Sequence, residues 1–600
     1  MGFGDLISER SRLMAIDASG NAMSRFLITT ADESTWVFDR PVLFLGHWCL
    51  NPSREHIWSK MDYVVFNPKF SASALDEHFA TMNLLYDDLL TDLSIALNDF
   101  HGCAQSKRYW TILIGPWLRL FCNQLMFRWA YMTTAASHFE ITDASCNLNI
   151  DAEQLRPRNF AEYKKINTDE AWGQYIYSKL WTYSRSKYGV DFDDGVPSGL
   201  PLVNEVINIL RPDPEKNPSH KIIIADSYLP RKSELALSLL VKSPRIRVPR
   251  VSAPAEPPDD AARASLKFSR PCRDQLHAVG RALVADQLPS AYLEGYVKLS
   301  EATSKLRLDA HPKTIFTSNR HFYDDVFNLW AAQATENGSR YVIGQHGGNY
   351  GSSLYTSHAE LHEQQVADIH LTWGWGTLAN QVKGPCLKMV GIRKTKSQPN
   401  GNLLIVCDQM WKHPRSLFYD VTESSGYLEY VKDCLSNLTN PIRDRILVRL
   451  NHAHAISGSS QSEWWSLHAP EIAVDDGLSD MRALREAARL VVTTFNGTTF
   501  LETLHMNIPT LVTWSDSYCK IRDEAKPYFK ALEAVGIFHS SADSFTEHLE
   551  SNWNEIETWW ASDEVQAARL SFCERYSKIE KRPLRFLMKI LNSNEQQGRP

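Results

Sequence analysis

The feature that most constrains this chain is a series of short, continuous apolar runs separated by helical patterns. An apolar run without alternation suits a strand buried on both faces, as in a parallel sheet covered by helices. The rhythm therefore predicts an α/β fold with two Rossmann-like domains facing one another across a cleft. Beyond residue 314 the candidate strands lie at 314–318, 341–345, 369–375, 388–391, 403–407, 446–450, 472–476, 490–494 and 510–514.

The N-terminal third shows the same rhythm less regularly. Its candidate strands are residues 41–46, 63–66 and 111–115, and apolar residues recur at helical spacing between 75 and 95. A further candidate strand follows at 221–225. The most membrane-like stretch, 109–136, contains Pro116 and polar residues, whereas a spanning helix needs about 20 predominantly apolar residues. We interpret this stretch as a buried helix that follows a strand at 111–115.

These patterns divide the chain into three parts. Residues 1–375 form a predicted N-terminal α/β domain with helical insertions and a proline-rich loop at 244–260. Residues 376–575 form a predicted second Rossmann-like domain, and residues 576–600 a basic helix and tail. Two interpretations of the basic helix stay open: contact with an anionic membrane surface, or a closing helix packed across both domains.

Charge and cysteine content exclude several classes of protein. With 64 Lys and Arg against 70 Asp and Glu, the net charge of −6 gives no general attraction to nucleic acid. The ten cysteines include no CxxC pair, which argues against a zinc ribbon and favours a reducing compartment. The first twenty residues lack the basic start and apolar middle of a secretory signal. We expect a cytoplasmic protein without a nucleic-acid partner.

A strand–turn–helix–strand unit between residues 489 and 514 is the strongest candidate for a ligand site. Asn496, Gly497, Thr498 and Thr499 lie where the predicted strand ends and the helix begins. In an open parallel sheet this position offers free helix amides to a phosphate. The alternative is that Thr499 and Glu502 form a capping box that only starts the helix.

Arg449 ends the candidate strand 446–450 and needs a partner there, because a buried guanidinium is costly alone. A phosphate or a sugar carboxylate would suit its planar fork. An internal carboxylate, Asp475 or Asp476, is the open alternative.

Three further candidates follow strands of the first domain. His346, Gly347 and Gly348 belong to a loop in which three glycines within five residues permit close backbone approach. A histidine there can act as acid or base near neutral pH. Asn319 ends the preceding strand, and Asp226 ends the strand at 221–225, where a nucleophile, a base or a simple turn aspartate are all open.

Metal binding is not expected. Asp191 and Asp193 form a D-x-D pair without a preceding strand, which favours a solvated acidic loop, and His452 and His454 would bind a metal only from one strand face. Neither GxGxxG, nor a P-loop, nor a G-x-S-x-G elbow occurs.

Several segments together resemble a bacterial family of transferases found in O-antigen and surface-polysaccharide loci. The resemblance spans residues 25 to 520, and its most specific part is the pair of blocks from 317 to 351. The segments are FLGHWC (44–49), IGPWL (114–118), PSAYLEG (289–295), TSNRHFYDDVFNLWAA (317–332), YVIGQHGGNYG (341–351), LTWGW (371–375) and TTFNGTTFLETL (493–504).

The resemblance implies a GT-B-type glycosyltransferase of surface polysaccharide biosynthesis (O-antigen, lipopolysaccharide or capsule) that uses a nucleotide sugar and no metal cofactor. It is distantly similar to enzymes that transfer Kdo or related nonulosonic acids from CMP donors to a glycan or lipid-linked acceptor at the cytoplasmic membrane face. The implied donor-binding residues are Arg449, Asn496, Thr498, Thr499 and Glu502, with Asn319 and His346 facing them.

Two other functions stay open at this point. One is a non-catalytic glycan-binding or assembly subunit, since eighteen tryptophans offer rings that stack on sugars. The other is a nucleotide-sugar epimerase on the same fold.

Overall fold

The computed structural model describes residues 24–146, 152–185, 221–243, 248–392, 398–418, 421–422, 426–452, 461–515 and 519–593. Asp191, Asp193 and His454 lie outside the described residues, as does the start of the proline-rich loop.

Within these residues, three main sheets form, and every strand pairing in them is parallel. A small fourth sheet joins β11 to β12. The strands are β1 (Arg25–Ile28), β2 (Val42–Phe44), β3 (Tyr63–Val65), β4 (Ile141–Ala144), β5 (Ile222–Ala225), β6 (Thr314–Thr317), β7 (Arg340–Gly344), β8 (Ile369–Thr372), β9 (Gln381–Lys383), β10 (Asn402–Val406), β11 (Met410–Trp411), β12 (Val421–Thr422), β13 (Ile446–Arg449), β14 (Ala473–Asp475), β15 (Ala488–Thr493), β16 (Thr510–Thr513) and β17 (Phe538–His539).

Helices connect most of the strands. They are α1 (Glu55–Trp58), α2 (Ala72–His101), α3 (Lys107–His138), α4 (Phe160–Ile166), α5 (Glu170–Arg185), α6 (Arg231–Leu240), α7 (Asp260–Ala264), α8 (Gln275–Gln287), α9 (Tyr296–Ser304), α10 (Asp325–Glu336), α11 (His358–Val366), α12 (Tyr427–Ser436), α13 (Asn440–Arg443), α14 (Gln461–His468), α15 (Met481–Ala487), α16 (Thr498–Met506), α17 (Lys526–Ala534), α18 (Ala542–Asn552), α19 (Ile556–Ala561), α20 (Asp563–Tyr576) and α21 (Pro583–Asn592).

The strand orders confirm the predicted fold class of two facing Rossmann-like domains, the GT-B arrangement. One sheet has the order β5-β6-β7-β8-β9. The other has the order β14-β13-β10-β15-β16-β17, so β13 and β14 lie on one side of β10 and the later strands lie on its other side. The chain passes from the first to the second sheet between Lys383 and Asn402. The N-terminal region adds a separate sheet of order β3-β2-β1-β4, whose buried residues join the core of the five-stranded sheet.

Two predicted strands are wrong. Residues 111–115 lie inside α3, which starts at Lys107 after the Ser106 hydroxyl caps the Tyr109 amide and continues through Pro116. This part of α3 is buried on all sides, so its sequence shows an unbroken apolar run and no helical period. Residues 388–391 form a short 3-10 helix (Leu387–Met389) and a turn at Gly391, where φ is +80°.

The basic C-terminal helix, α21, packs back onto the five-stranded sheet. Leu587 and Leu591 are fully buried among apolar residues of that sheet. The guanidinium of Arg340 donates to the Ile590 and Leu591 carbonyls. The apolar side of the helix is therefore covered by the five-stranded sheet, whereas the closing-helix interpretation placed this helix across both domains. Among the described residues, no helix combines the length and apolar character that crossing a bilayer requires.

Glu170, at the start of α5, joins the N-terminal region to the segment that follows β10. Its carboxylate accepts from the Ala31 amide at 2.6 Å, from Lys412 Nζ at 2.9 Å and lies 3.1 Å from His413 Nε2. Burial alone would raise the pKa of Glu170, but His413 and Lys412 outweigh it and lower the pKa to about 2. Because the pKa in the folded state is depressed, this stabilisation is present above the ordinary value of 4.5 and is lost as pH falls toward 2.

We therefore expect Glu170→Gln to lower the free energy of unfolding by about 1.5–3 kcal/mol at neutral pH, the usual value of charged hydrogen bonds. The difference from the unmodified chain should shrink as pH approaches 2. Urea unfolding at a series of pH values measures this, with Glu471→Gln at an exposed position as the control. An equal loss at every pH would contradict the assignment.

Candidate functional site

A cavity of about 290 Å³ lies between the two lobes, where loops from the carboxyl ends of both sheets meet. The loop after β7 contributes its glycine-rich turn, and the loops after β10 and β15 close the other side. The cations Arg415 and Lys520 and the anion Asp408 are among its walls. The lining residues are Gly348, Asn349, Ser353, Tyr355, Ser357, His358, Asp408, Gln409, Trp411, Arg415, Phe418, Phe495, Asn496, Gly497, Cys519 and Lys520.

Gln345 fixes the start of the glycine-rich loop. Its side-chain oxygen accepts from the Trp373 amide at 2.9 Å and from Trp375 Nε1 at 2.8 Å, and its side-chain nitrogen donates to the Gly347 carbonyl at 2.7 Å. Gly351 closes the loop with φ of +68°, and a Cβ there would lie 2.2 Å from the Trp375 ring. The loop is thus held at both ends before it reaches the other lobe.

The two predicted segments, 346–348 and 496–499, come together in the structure. A Cβ placed on Gly348 would lie 2.2 Å from the Gly497 carbonyl carbon and 2.3 Å from the Thr498 nitrogen, so the two backbones touch. Asn496 Nδ2 donates to Ser352 Oγ at 3.0 Å and to Ser353 Oγ at 3.2 Å. The lobes therefore meet at the start of α16.

The alternative capping box at this helix is wrong. Gly497 is the N-cap, no side chain caps the helix, and α16 begins at Thr498 as predicted. Glu502 instead pairs with Arg485 and, at 2.5 Å, with Lys388 Nζ. The first amides of α16 have no partner inside the helix, which leaves them for another group. Asn496 and Gly497 line the cavity, whereas Glu502 is buried away from it.

Arg449 lies apart from the cavity. Its guanidinium donates to the carbonyls of Leu450 at 2.8 Å and Gly477 at 3.1 Å, and its Nε is 4.0 Å from Asp475. The loop after β14 thus supplies the partners that the sequence left open, mainly through backbone carbonyls. Its role in donor binding stays a prediction.

Asp226 and Asn319 end β5 and β6 beside the loop but do not line the cavity. The Asp226 carboxylate accepts from the Tyr323 hydroxyl and lies 3.3 Å from Arg320 Nη1. Its backbone is left-handed, with φ of 47°, a conformation that costs a non-glycine residue about 1–3 kcal/mol. Asn319 is half-buried and makes no side-chain capping bond to the turn that follows it. Their catalytic roles stay predictions.

His346 contacts a buried carboxylate that the sequence did not indicate. Its Nδ1 lies 2.7 Å from Glu363 Oε1, and its side chain is 19 % exposed, next to the rings of Tyr228 and Phe322. Glu363, on α11, also lies 3.3 Å from His321 Nε2 and from His370 Nε2. The pattern H-x-x-x-H-E at 358–363 was the available indication, but it does not show which strand ends the helix faces.

His321, His346 and Glu363 also have the donor types of a metal site, with ligand atoms within 4.8 Å of one another. Neutral imidazoles and a carboxylate are common zinc ligands. However, the 2.7 Å contact is already a good hydrogen bond, and Glu363 lies between the histidine rings with no shared centre required. The expectation that no metal takes part stays a prediction.

Two buried carboxylates on α11 have opposite electrostatics. Burial raises the pKa of Glu360 to about 7, although Arg522 and the Gly351 amide act in the other direction. Burial also disfavours the charge of Glu363, but His346, His321 and His370 outweigh it and hold the pKa well below its usual range. His358, which lines the cavity, is kept neutral because burial lowers its pKa to about 3. Helix α11 thus carries an ionised Glu363 and, one turn earlier, a Glu360 that titrates near neutrality.

Comparison with known proteins gives one match that spans the chain. The family model described as "LIC12162 family transferase" matches residues 25–591. No curated protein matches the chain. Among solved structures, the S. aureus MnaA–UDP co-structure is 10% identical with a TM-score of 0.34, covering 62% of this chain and 95% of that one. Spinosyn rhamnosyltransferase SpnG complexed with thymidine diphosphate is 13% identical with a TM-score of 0.30, covering 62% and 99%.

Gly348→Ala tests the backbone contact between the lobes. The added methyl must push the Gly497 peptide away, so we expect a loss of about 1–3 kcal/mol in the free energy of unfolding, as in an overpacked core. Gly173→Ala on α5 is the matched control, because its nearest atoms would be 3.9 Å away and alanine favours a helix. Urea unfolding followed by tryptophan fluorescence compares them, and equal stability of the two variants would refute the contact.

Glu360→Gln tests the buried carboxyl group. Because the pKa in the folded state is raised, the stability that Glu360 contributes is fully present below 4.5 and is lost as pH rises through about 7. The glutamine variant should therefore lose less stability than the unmodified chain between these values, by roughly 1–3 kcal/mol at ~1.4 kcal/mol per pKa unit. Unfolding at intervals across this range checks it, and parallel curves for both proteins would contradict the raised pKa.

Proposed function

The chain belongs to the LIC12162 family of transferases, and on that premise we propose that it is a glycosyltransferase that uses a nucleotide sugar. The observation that carries the proposal is the shared cavity, in which Asn496 and Gly497 face the loop that follows His346. Ligands of open parallel sheets bind at the carboxyl ends of strands, and phosphates bind at helix N-termini. Both features meet here in one crevice.

The donor phosphate is proposed to bind at the start of α16. The amides at Thr498 and Thr499 and the positive end of the helix dipole favour an anion. Arg415 and Lys520 add positive charge to the same cavity, against one carboxylate, Asp408. We propose that these groups meet the charge of the leaving phosphate without a metal ion.

His346 is proposed as the general base. Its ring takes the proton of an acceptor hydroxyl, whose oxygen forms the new bond to the anomeric carbon of the sugar. The bond from that carbon to the donor phosphate breaks, and its electron pair leaves with the phosphate. Asp226 is the proposed nucleophile if the configuration is retained, and Asn319 is proposed to orient the acceptor.

The finer assignments follow from the resemblance in the sequence. We propose a role in bacterial surface polysaccharide synthesis, with Kdo or a related nonulosonic acid on CMP as donor and a glycan or lipid-linked glycan as acceptor. Residues 376–575 would bind the donor and residues 1–375 the acceptor. The exposed Arg585 and Lys589 on α21 support a peripheral position at the cytoplasmic membrane face.

A thermal-shift panel of CMP, UDP, GDP and ADP tests donor binding. A nucleotide at 100 times its dissociation constant should stabilise the protein by about 2.7 kcal/mol. We expect one base to stand out, with CMP as the proposed one. Absence of any shift would contradict a nucleotide-dependent enzyme.

Thr498→Glu tests whether the nucleotide phosphate binds at the start of α16, because it places a carboxylate at the first position of that helix. That position favours an acid for helix stability, so the fold should persist while the anion site is blocked. Thr498→Gln has nearly the same shape without the charge and is the control. We expect the nucleotide shift to vanish in the first variant and to persist in the second; a shift in both would place the phosphate elsewhere. Mass spectrometry of the products then separates a glycoside from an epimer.

A further inference from the structure

Glu363 is a fully buried carboxylate at the centre of a histidine cluster. Its side chain is 0% exposed, and its ion-pair partners among the described residues are His321, His346 and His370. His321 lies in the 3-10 turn after β6, His346 in the loop after β7, and His370 within β8. The Tyr350 hydroxyl donates to the same oxygen as His346, at 3.1 Å. One carboxylate thus contacts the segments after β6 and β7 and the strand β8.

The contact with His346 determines where that ring carries its proton. An ionised carboxylate can only accept a hydrogen bond, so Nδ1 of His346 must be the donor at 2.7 Å. A neutral imidazole has one proton, and its lone pair is then on Nε2, the ring nitrogen that does not face Glu363. This is the form that a general base requires.

The other histidines help to keep the carboxylate in place. His321 and His370 lie 3.3 Å from its two oxygens, and both rings are buried. Burial lowers the pKa of His321, which keeps that ring neutral. Two further imidazoles therefore lie 3.3 Å from the oxygens of Glu363, and its short hydrogen bond goes to His346.

We propose that Glu363 is a positioning residue for His346, which holds the ring by Nδ1 and presents the Nε2 lone pair for proton transfer. The consequence for catalysis rests on the proposed function, whereas the arrangement of the ring does not. The two are tested by separate measurements.

The rate of modification by diethyl pyrocarbonate tests whether His346 presents its Nε2 lone pair, and the measurement needs no substrate. The reagent reacts with an unprotonated ring nitrogen, and peptide mass spectrometry gives the rate at His346, with exposed His452 as the internal reference. At about pH 8, where a free imidazole is neutral, we expect Glu363→Leu to slow modification of His346 about tenfold, as one charge-assisted hydrogen bond is lost. Glu363→Gln keeps an acceptor oxygen and should give an intermediate rate.

The direction of the change separates positioning from support of the fold. If Glu363 only supported packing, its loss would loosen the loop and speed modification of His346. Glu360→Leu is the matched control, because Glu360 is equally buried one turn earlier on α11 and bonds to the Gly351 amide and Gln364 instead. In Glu360→Leu, the rate of modification at His346 should stay unchanged. If the leucine variant does not fold, the glutamine variant gives the same comparison.

Steady-state kinetics with the donor found in the nucleotide panel tests the catalytic consequence. Glu363→Leu should lower kcat with KM little changed, and Glu363→Gln should restore part of the rate. Slower modification without measurable transfer would support the positioning and refute the proposed reaction. An unchanged or faster rate of modification at His346 in Glu363→Leu would overturn the positioning. So would the finding that the protein binds one equivalent of a divalent metal and that His321→Ala loses it.

Discussion

The contact on which the rest of the site depends is that between two backbones, at Gly348 of one lobe and Gly497 of the other. A single Cβ at Gly348 would overlap the Gly497 peptide, so the approach is as close as a chain permits. Asn496 then reaches the serines after the loop, and Ser353 pairs with Ile521 as an antiparallel bridge. The relative position of the two lobes is set by the peptide groups and short polar side chains that meet there. The cavity is the space that this contact leaves open beside it.

In the histidine cluster, the same buried carboxylate contributes to the packing of the fold and to the arrangement of the candidate site. A buried carboxylate is costly unless donors surround it, and α11 places Glu363 where three strand elements can supply them. His346, which bonds to Glu363 through Nδ1, is in turn fixed by it, so the loop after β7 is held by Glu363 as well as by Gln345. Glu360, one turn earlier, is paired instead with Arg522 at 3.7 Å and with the Gly351 amide, and burial raises its pKa to about 7. The same helix thus holds one carboxylate ionised and leaves the other able to titrate.

The sequence predicted the elements whose signal is local. The apolar runs that became β5 to β8 and β13 to β16, and the helix that starts at Thr498, could be recognised because each carries its own pattern. Residues 111–115 could not, because a helix buried on every side has the composition of a strand. The loops at 346–348 and 496–497 could be predicted as neighbours because strand ends in parallel sheets mark ligand sites, and the structure brings Gly348 and Gly497 into contact. Glu363 was missed, since its partners lie up to 42 residues away on other strands, and the carbonyl partners of Arg449 depend on how the 477–479 loop folds.

A chain of contacts connects the two halves of the site through the linker between the sheets. Glu502, on α16, binds Lys388 from the short 3-10 helix after β9. Lys388 Nζ lies 5.7 Å from the ring centre of Tyr228, and that ring lies 6.2 Å from His346. Arg485 also holds Glu502. Lys388, in the linker between the two sheets, is therefore held between Tyr228, which follows β5, and Glu502 on α16. A shift of α16 relative to the five-stranded sheet would therefore move Lys388 against Tyr228, which forms one wall of the space around the His346 ring. Helix α16 and His346 are thus connected by side-chain contacts as well as by the Gly348–Gly497 contact.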